Sequence, residues 1–295
     1  VYDSYRRFIQ MFSDVVMEVS KKTFEVIIDE LKAISKKYGT PRKTGIVYAS
    51  ELEEPDEDEQ VEDYAVTLFL SREGYFKKIT AQSLRMSGEQ KYKDGDGLAV
   101  SFESTNRGEL LFLTDKQQMY KARVSDFEDG KASVLGIYLP TRLKMDEGES
   151  VIAMIDPGDY KKHLLLMFEN GKAARIELSA YETKTNRRKL VGACSDKSPV
   201  KAVMLIGEEF DVACYSSDGR AMIFNTALLQ PKTSRSTQGV AVMSLKAKRV
   251  LEKAMPLKDS DIQNTARYRV RSIPAAGALI KGEDRAEKQL SLMDE

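Results

Sequence analysis

The stretch FLSREGYFKKIT, residues 69–80, decides the fold, because the chain writes it four times. It returns as FLTDKQQMYKARV from Phe112, as MFENGKAARIEL from Met167 and as YSSDGRAMIFNT from Tyr215. Each copy is an apolar run, a polar tip and an alternating run that carries Lys, Arg or Ile. Two short runs about a tight polar tip form a β-hairpin. Gly74, Gly171 and Gly219 stand where the tip needs a positive φ, and Gln117-Gln118 takes that place in the second copy. The copies begin 43, 55 and 48 residues apart. A repeat of roughly 40–50 residues with several strands per unit reads as a radial array of sheets, a propeller. The competing reading is an antiparallel sandwich with coincidental hairpins, and four copies in one polarity order argue against it.

Residues 65–260 are therefore read as a mainly β body of about four blades. After each hairpin a polar loop leads to further strands: GDGLAVSFE in the first unit, VLGIYLPTRL and SVIAMID in the second, KLVGACS and VKAVMLIG in the third, QGVAVMSL and RVLEKAMPL in the fourth. The first unit is one strand short by this reading. YRVRSI, residues 268–273 of a tail that runs over 261–295, alternates and is a candidate to fill that edge. The tail also holds a helical turn at DIQNTARY and ends in polar sequence. The twelve Met residues read as core filler.

Residues 1–45 read as a helical segment. Tyr5, Phe8, Ile9, Phe12, Val15, Val16 and Val19, then Phe24, Ile27, Ile28, Leu31, Ile34 and Tyr38, recur at three and four. Gly39 and Pro41 are stop signals, and Ser13-Asp14, a natural N-cap, leaves one helix or two open. The apolar stripe calls for a partner, either a helical hairpin of its own or upstream chain. Residues 46–64 form an acidic linker: positions 51–63 hold nine acidic groups and no basic one. Like charges at that density repel, and little apolar material is present to bury, so an extended or mobile segment is expected.

The 46 basic and 46 acidic groups cancel overall but are sorted along the chain. Residues 1–50 carry +3, 51–63 carry −9, 64–280 carry +8 and 281–295 carry −2. A basic body points toward nucleic acid. Cys194 and Cys214 are the only cysteines, too few for a Cys-rich zinc site or a disulfide framework, and read as buried thiols in a reducing compartment. His163, the only histidine, sits at the start of a strand in KKHLLLMF and has no second His for a metal site. No phosphate-binding GxxxxGK[ST] loop, GxGxxG motif or calcium loop occurs, and none of the thirteen tyrosines has a catalytic setting. No catalytic, cofactor-binding or metal residue is assigned, and the chain is not expected to be an enzyme on its own. No apolar run approaches the ~20 residues of a membrane-spanning helix. The opening residues lack the zones of a secretory signal, and a chain that begins on Val is expected to be a piece of a longer one.

What accumulates is basic charge at hairpin ends and in the loops between strands. Lys77 and Lys78 follow the first tip, with Arg85, Lys91 and Lys93 in the next loop. Lys121 and Arg123 match them in the second unit, followed by Arg142 and Lys144. The third offers Arg175, Arg187, Arg188 and Lys189, and the fourth Arg220, Lys232, Arg235, Lys246, Lys248 and Arg249. Units repeated around an axis place equivalent loops on one rim, so these charges are expected to form a band. Such a band suits the phosphate backbone of double-stranded DNA, which needs point charges at intervals and no base reading.

Three stretches carry a resemblance to a known family. FEVIIDELKAISKKYGTPRKTGI, residues 24–46, resembles the helix that leaves a coiled-coil arm, with its Gly-x-x-Arg-[Arg/Lys]-Thr ending. AVTLFLSREGYFKKI from Ala65 and TSRSTQGVAVMSLK from Thr233 resemble blades of a C-terminal domain. The family is the A subunit of bacterial type IIA topoisomerases, DNA gyrase and topoisomerase IV. The resemblance implies a β-pinwheel, a propeller relative whose blades exchange strands, which binds and bends DNA on its outer edge. It also implies that the catalytic tyrosine, the metal-binding domain and the ATPase B subunit lie outside this chain, so that ATP and Mg serve only the rest of the enzyme. Its expected partners are DNA, its own upstream cleavage domain and the B subunit, in the bacterial cytoplasm at the nucleoid. Gyrase carries a basic Gly-rich box, QRRGGKG, after its first hairpin. Here the loop reads GEQKYKDGDG, residues 88–97, where Gln90, Lys91, Lys93 and Gly97 fit loosely and Asp94 and Asp96 break the pattern. That departure, with four readable units, favours topoisomerase IV. Gyrase and a protein-interaction propeller with acidic partners are the alternatives.

Overall fold

A computed structural model describes residues 2–39, 61–86, 89–183 and 188–284, and the chain falls into two compact units, 1–56 and 57–295. The described part of the first unit is one helix, α1 (Tyr2–Tyr38). It runs unbroken through Ser13 and Asp14, and Asp14 Oδ1 accepts from the Gln10 side-chain amide at 3.2 Å. A carboxylate engaged one turn back on its own helix starts no new one. The Gly39 amide closes the last turn on the Ser35 carbonyl at 2.8 Å. No residue of α1 is buried, and no hairpin partner covers its apolar stripe among the described residues. The linker expected over 46–64 lies almost wholly outside the described residues.

The second unit is built of sixteen strands among the described residues. They are β1 (Ala65–Ser71), β2 (Tyr75–Thr80), β3 (Leu98–Thr105), β4 (Glu109–Thr114), β5 (Gln118–Arg123), β6 (Ile137–Tyr138), β7 (Val151–Ile155) and β8 (His163–Phe168). Then follow β9 (Lys172–Glu177), β10 (Lys189–Val191), β11 (Val200–Ile206), β12 (Asp211–Ser216), β13 (Arg220–Asn225), β14 (Val240–Ala241), β15 (Leu251–Pro256) and β16 (Ala278–Leu279). They form four antiparallel sheets, in the orders β3-β1-β2-β6, β10-β5-β4-β7, β11-β8-β9-β14 and β15-β12-β13-β16. The four repeated stretches are the four central hairpins. Their tips hold Gly74, Gln117, Gly171 and Gly219 at φ of 88°, 55°, 77° and 74°, the left-handed conformation a tight tip requires.

Each blade is a hairpin plus a third strand from its own unit, and its fourth strand comes from further along the chain. β6 lies beyond the hairpin of blade 2 and pairs with β2 of blade 1; β10 and β14 do the same for blades 2 and 3. The first unit does write one strand fewer than the next two, three against four, and blade 1 is completed by β6 of the second unit. The tail supplies blade 4 through β16, while residues 268–273 form no strand: Arg269 makes only an isolated bridge to Ile223. Those residues would be needed at blade 1 only if each unit closed on itself, and strand exchange removes that need.

Side chains alternate across each strand, so the two faces of a blade feed two different cores. Val66, Leu68, Leu70 and Phe76 of blade 1 meet Leu110, Phe112 and Tyr120 of blade 2. Leu111, Leu113 and Met119 on the other face of blade 2 meet Leu164, Leu166 and Phe168 of blade 3. Leu165, Met167 and Ala173 meet Val212, Cys214, Met222 and Phe224 of blade 4. The far face of blade 4 is covered by the tail, through Ile262 and Tyr268. The far face of blade 1 is covered by its own connection, whose helix α2 (Ala81–Met86) packs on β1 and β2. No hydrophobic cluster joins blade 4 to blade 1 among the described residues, so the pinwheel is an array with two capped ends. Met119, Met154, Met167, Met204, Met222 and Met243 fill these cores, whereas Met11, Met17 and Met86 are exposed. Cys194 and Cys214 are buried free thiols, and burial pushes Cys194 up to about 11.

Candidate nucleic-acid interface

The basic residues on the second strand of each hairpin are buried or half-buried. Four residues past each tip stand Lys78, Lys121, Arg175 and Ile223, on equivalent faces. Lys78 is 4% exposed, with its Nζ 2.9 Å from Asp129 Oδ1 and 3.0 Å from Asn106 Oδ1. Lys121 pairs with Glu109 Oε1 at 2.9 Å and lies over the Tyr160 ring. Arg175, whose side chain is 10% exposed, pairs with Glu209 Oε1 at 2.8 Å and donates to the Thr226 and Leu229 carbonyls. Its Nη2 also lies 3.4 Å from His163 Nδ1. Burial, then the Arg175 charge, holds the His163 imidazole below its ordinary pKa. Lys77 is 4% exposed as well and donates to Gln90 Oε1, the Lys91 carbonyl and the Ala132 carbonyl. Burial lowers its pKa. A surface position after the first hairpin is expected for Lys77 and Lys78; the inter-blade packing and the cap on blade 1 instead enclose both ammonium groups. Arg220 Nε is 3.3 Å from Asp218 Oδ2, and its Nη1 donates to the Gly277 carbonyl at 3.0 Å. Arg123 ends β5 half-buried.

The remaining basic residues lie on the four connections that join the second strand of each hairpin to the third strand of its blade, residues 81–97, 124–150, 178–199 and 226–250. Some are engaged there. Lys93 pairs with Glu73 at 2.8 Å, Lys189 with Asp146 at 3.0 Å, and Arg142 Nη2 donates to the Asp126 carbonyl at 2.6 Å. Arg235 is half-buried, and Arg187 lies outside the described residues. Among the described residues, Arg85, Lys91, Lys144, Arg188, Lys232, Lys246, Lys248 and Arg249 are exposed, and their side chains make no hydrogen bond or ion pair. Three of these connections carry β6, β10 and β14, which all add to the second-hairpin-strand edge of the preceding blade. The unpaired cations therefore follow one edge of successive blades.

That edge is not uniformly charged. Residues 81–97 hold three basic and three acidic groups, and 124–150 hold three and six. Residues 178–199 hold five and two, and 226–250 hold five and none. In the first connection one acid turns inward. Asp96 Oδ1 accepts from the amides of Gly97 at 2.7 Å and Glu73 at 3.1 Å. Burial pushes that carboxyl up, but these bonds and one from Ser71 outweigh it and leave its pKa lowered. Sequence reasoning missed the acidic partners of the hairpin cations. Asp129 and Glu209 come from neighbouring segments, and no local pattern marks them.

A unit of four blades that exchange strands with the preceding blade is a β-pinwheel. Its homologues are A subunits of bacterial type IIA topoisomerases, and its fold is that of their C-terminal domains. The A subunit of DNA gyrase from Borreliella burgdorferi is 22% identical over 261 residues, covering 85% of this chain and 32% of that protein. The A subunit of DNA topoisomerase 4 from Staphylococcus aureus is 24% identical over 277 residues, covering 92% and 34%. The crystal structure of the C-terminal domain of DNA topoisomerase IV superposes with a TM-score of 0.60 at 22% identity, covering 68% of this chain and 64% of that one. The chain thus spans about a third of the length of the relatives it matches. No protein-family model matches it.

Proposed function

We propose that this chain is the DNA-binding and DNA-bending part of a topoisomerase IV-like A subunit. It positions duplex DNA for ATP-dependent strand passage, relaxation and decatenation, and contributes no catalytic residue itself. The catalytic tyrosine, the metal and the ATPase B subunit belong to the rest of that enzyme, with an upstream cleavage domain as neighbour. The setting is the bacterial cytoplasm at the nucleoid; no helix among the described residues is long and apolar enough to cross a membrane. The observation that carries the reading is the placement of cations: Lys78, Lys121 and Arg175 inside the blades are paired, while among the described residues Arg85, Lys91, Lys144, Arg188, Lys232, Lys246, Lys248 and Arg249 are exposed and unpaired on the connections between strands. Unpaired point charges at intervals match phosphates and read no bases.

Duplex affinity measured as salt is raised tests this. Each neutralised phosphate contributes about −0.9 to the slope of log K against log salt, so a slope of about −4 or steeper is expected, equal for unrelated sequences. No detectable binding at about 50 mM salt overturns the reading. Topoisomerase IV is favoured over gyrase by Asp94 and by Asp96, whose carboxylate folds back onto the hairpin tip where a basic box is expected. The gyrase reading is supported by the similarity to the Borreliella burgdorferi protein. Nicked circles ligated around the reconstituted enzyme separate the two, because gyrase-type wrapping leaves positive writhe.

A further inference from the structure

We infer that duplex DNA is gripped at the seam between blades 3 and 4, by residues 226–250, and that the edge of blade 1 stays out of the contact. This deepens the DNA-binding reading and rests on it. Residues 226–250 leave β13 of blade 4, cross to blade 3 and return to β15. The crossing is pinned by backbone bonds. The Lys232 amide donates to the Arg175 carbonyl at 2.8 Å, the Lys232 carbonyl accepts from Glu177 at 2.9 Å, and β14 pairs with β9. Lys232, Lys246, Lys248 and Arg249 are thus exposed on a segment fixed to two blades at once.

No acid occurs on that segment, and the exposed hydroxyls of Ser234 and Ser236 add phosphate donors between the cations. The nearby carboxylate that Lys246 influences, Asp218, already accepts from Ser216 and pairs with Arg220. The connection of blade 3 carries a further exposed cation one blade back, Arg188, whose carbonyl accepts from the Lys121 amide of blade 2. The connection that lies on blade 1 is the reverse. It holds six acids to three basic groups; Asp129 pairs with buried Lys78 and Asp146 with Lys189, while among the described residues Glu128 and Glu147 are exposed without a side-chain partner. Charges closer than the ~8–10 Å Debye length of physiological salt are only partly screened, so the seam, with no acid of its own, attracts phosphates more strongly than this edge does.

The test uses the full chain and a duplex of about 30 bp, a length that spans a bent site. Anisotropy salt titrations compare wild type with Lys232→Ala/Lys246→Ala/Lys248→Ala/Arg249→Ala and with Arg85→Ala/Lys91→Ala/Lys131→Ala/Lys144→Ala. The seam variant is expected to flatten the salt slope by about 3 to 4 and the other variant by less than about 1. Equal losses, or a larger loss from the second variant, overturn the seam while leaving DNA binding intact; a wild type that binds no duplex overturns the DNA reading itself. A measurement independent of the variants' folding uses single cysteines carrying a photo-crosslinker at Ser234 or at Thr141, both exposed, while the native thiols are buried. Crosslinking to DNA from position 234 and not from 141 is expected, and the opposite pattern contradicts the seam.

Discussion

Lys77 carries its ammonium beneath residues 89–93, where Gln90 Oε1 and the carbonyls of Lys91 and Ala132 lie at 3.3, 2.6 and 3.1 Å. A cation that satisfies one buried and two part-buried acceptors is part of the cap on blade 1. Lys77→Met leaves those acceptors unpaired, at a cost of about 1–3 kcal/mol. Urea unfolding should show that loss while the DNA salt slope stays unchanged; a flattened slope with unchanged stability contradicts it. His163 gives a pH signature. Its folded pKa lies below the ordinary 6.5, so the unfolded chain binds more protons across that window. Its stability contribution is complete above pH 6.5 and is lost as pH falls through the lowered folded value. Unfolding measured from neutral pH downward should therefore show a decline that His163→Gln reduces; an unchanged decline assigns it to other groups. The alternation of YFKKIT made β2 legible as a strand. Which of its lysines face solvent was not legible, because that depends on what covers each face, and residues 89–93 and Asp129 arrive from elsewhere in the chain.

Among elements, the hairpins were readable because six-residue strands about a glycine tip leave a period and a turn signal. The exchanged strands were not: β6, β14 and β16 are two residues long, too short for any period. What marks them is a glycine immediately before each one. At Gly239, with φ of 71°, an added Cβ would lie 2.2 Å from the Ala173 carbonyl oxygen of β9. Gly136 and Gly277 repeat this close approach before β6 and β16, and blade 2 places Lys189 at the equivalent position. Gly239→Ala must therefore push β14 off blade 3. A loss above the roughly 1 kcal/mol of an unfavourable φ alone is expected in thermal unfolding, toward about 3 kcal/mol. Gly95→Ala is the control, since its φ is also positive but nothing lies within 4 Å of its Cβ. Equal losses from the two substitutions would remove the close approach as the reason for that glycine.

For the whole molecule, the repeat predicted four blades and four sheets are present. The two ends were hidden from the sequence. Residues 81–97 occupy the place of an exchanged strand, yet among the described residues they fold onto blade 1. Blade 4 is completed by the tail through β16. The resulting edge carries unpaired cations across successive blades, and a duplex that follows such an edge has to bend. Smooth bending of 20–30 bp costs on the order of 1–6 kcal/mol, which several phosphate contacts offset. Energy transfer between dyes at the two ends of a duplex of about 30 bp tests this most directly. Addition of the chain at low salt is predicted to raise the transfer, for any sequence, and salt that releases the protein should return it to the free value. Full binding with an end-to-end distance unchanged from free DNA would contradict the account.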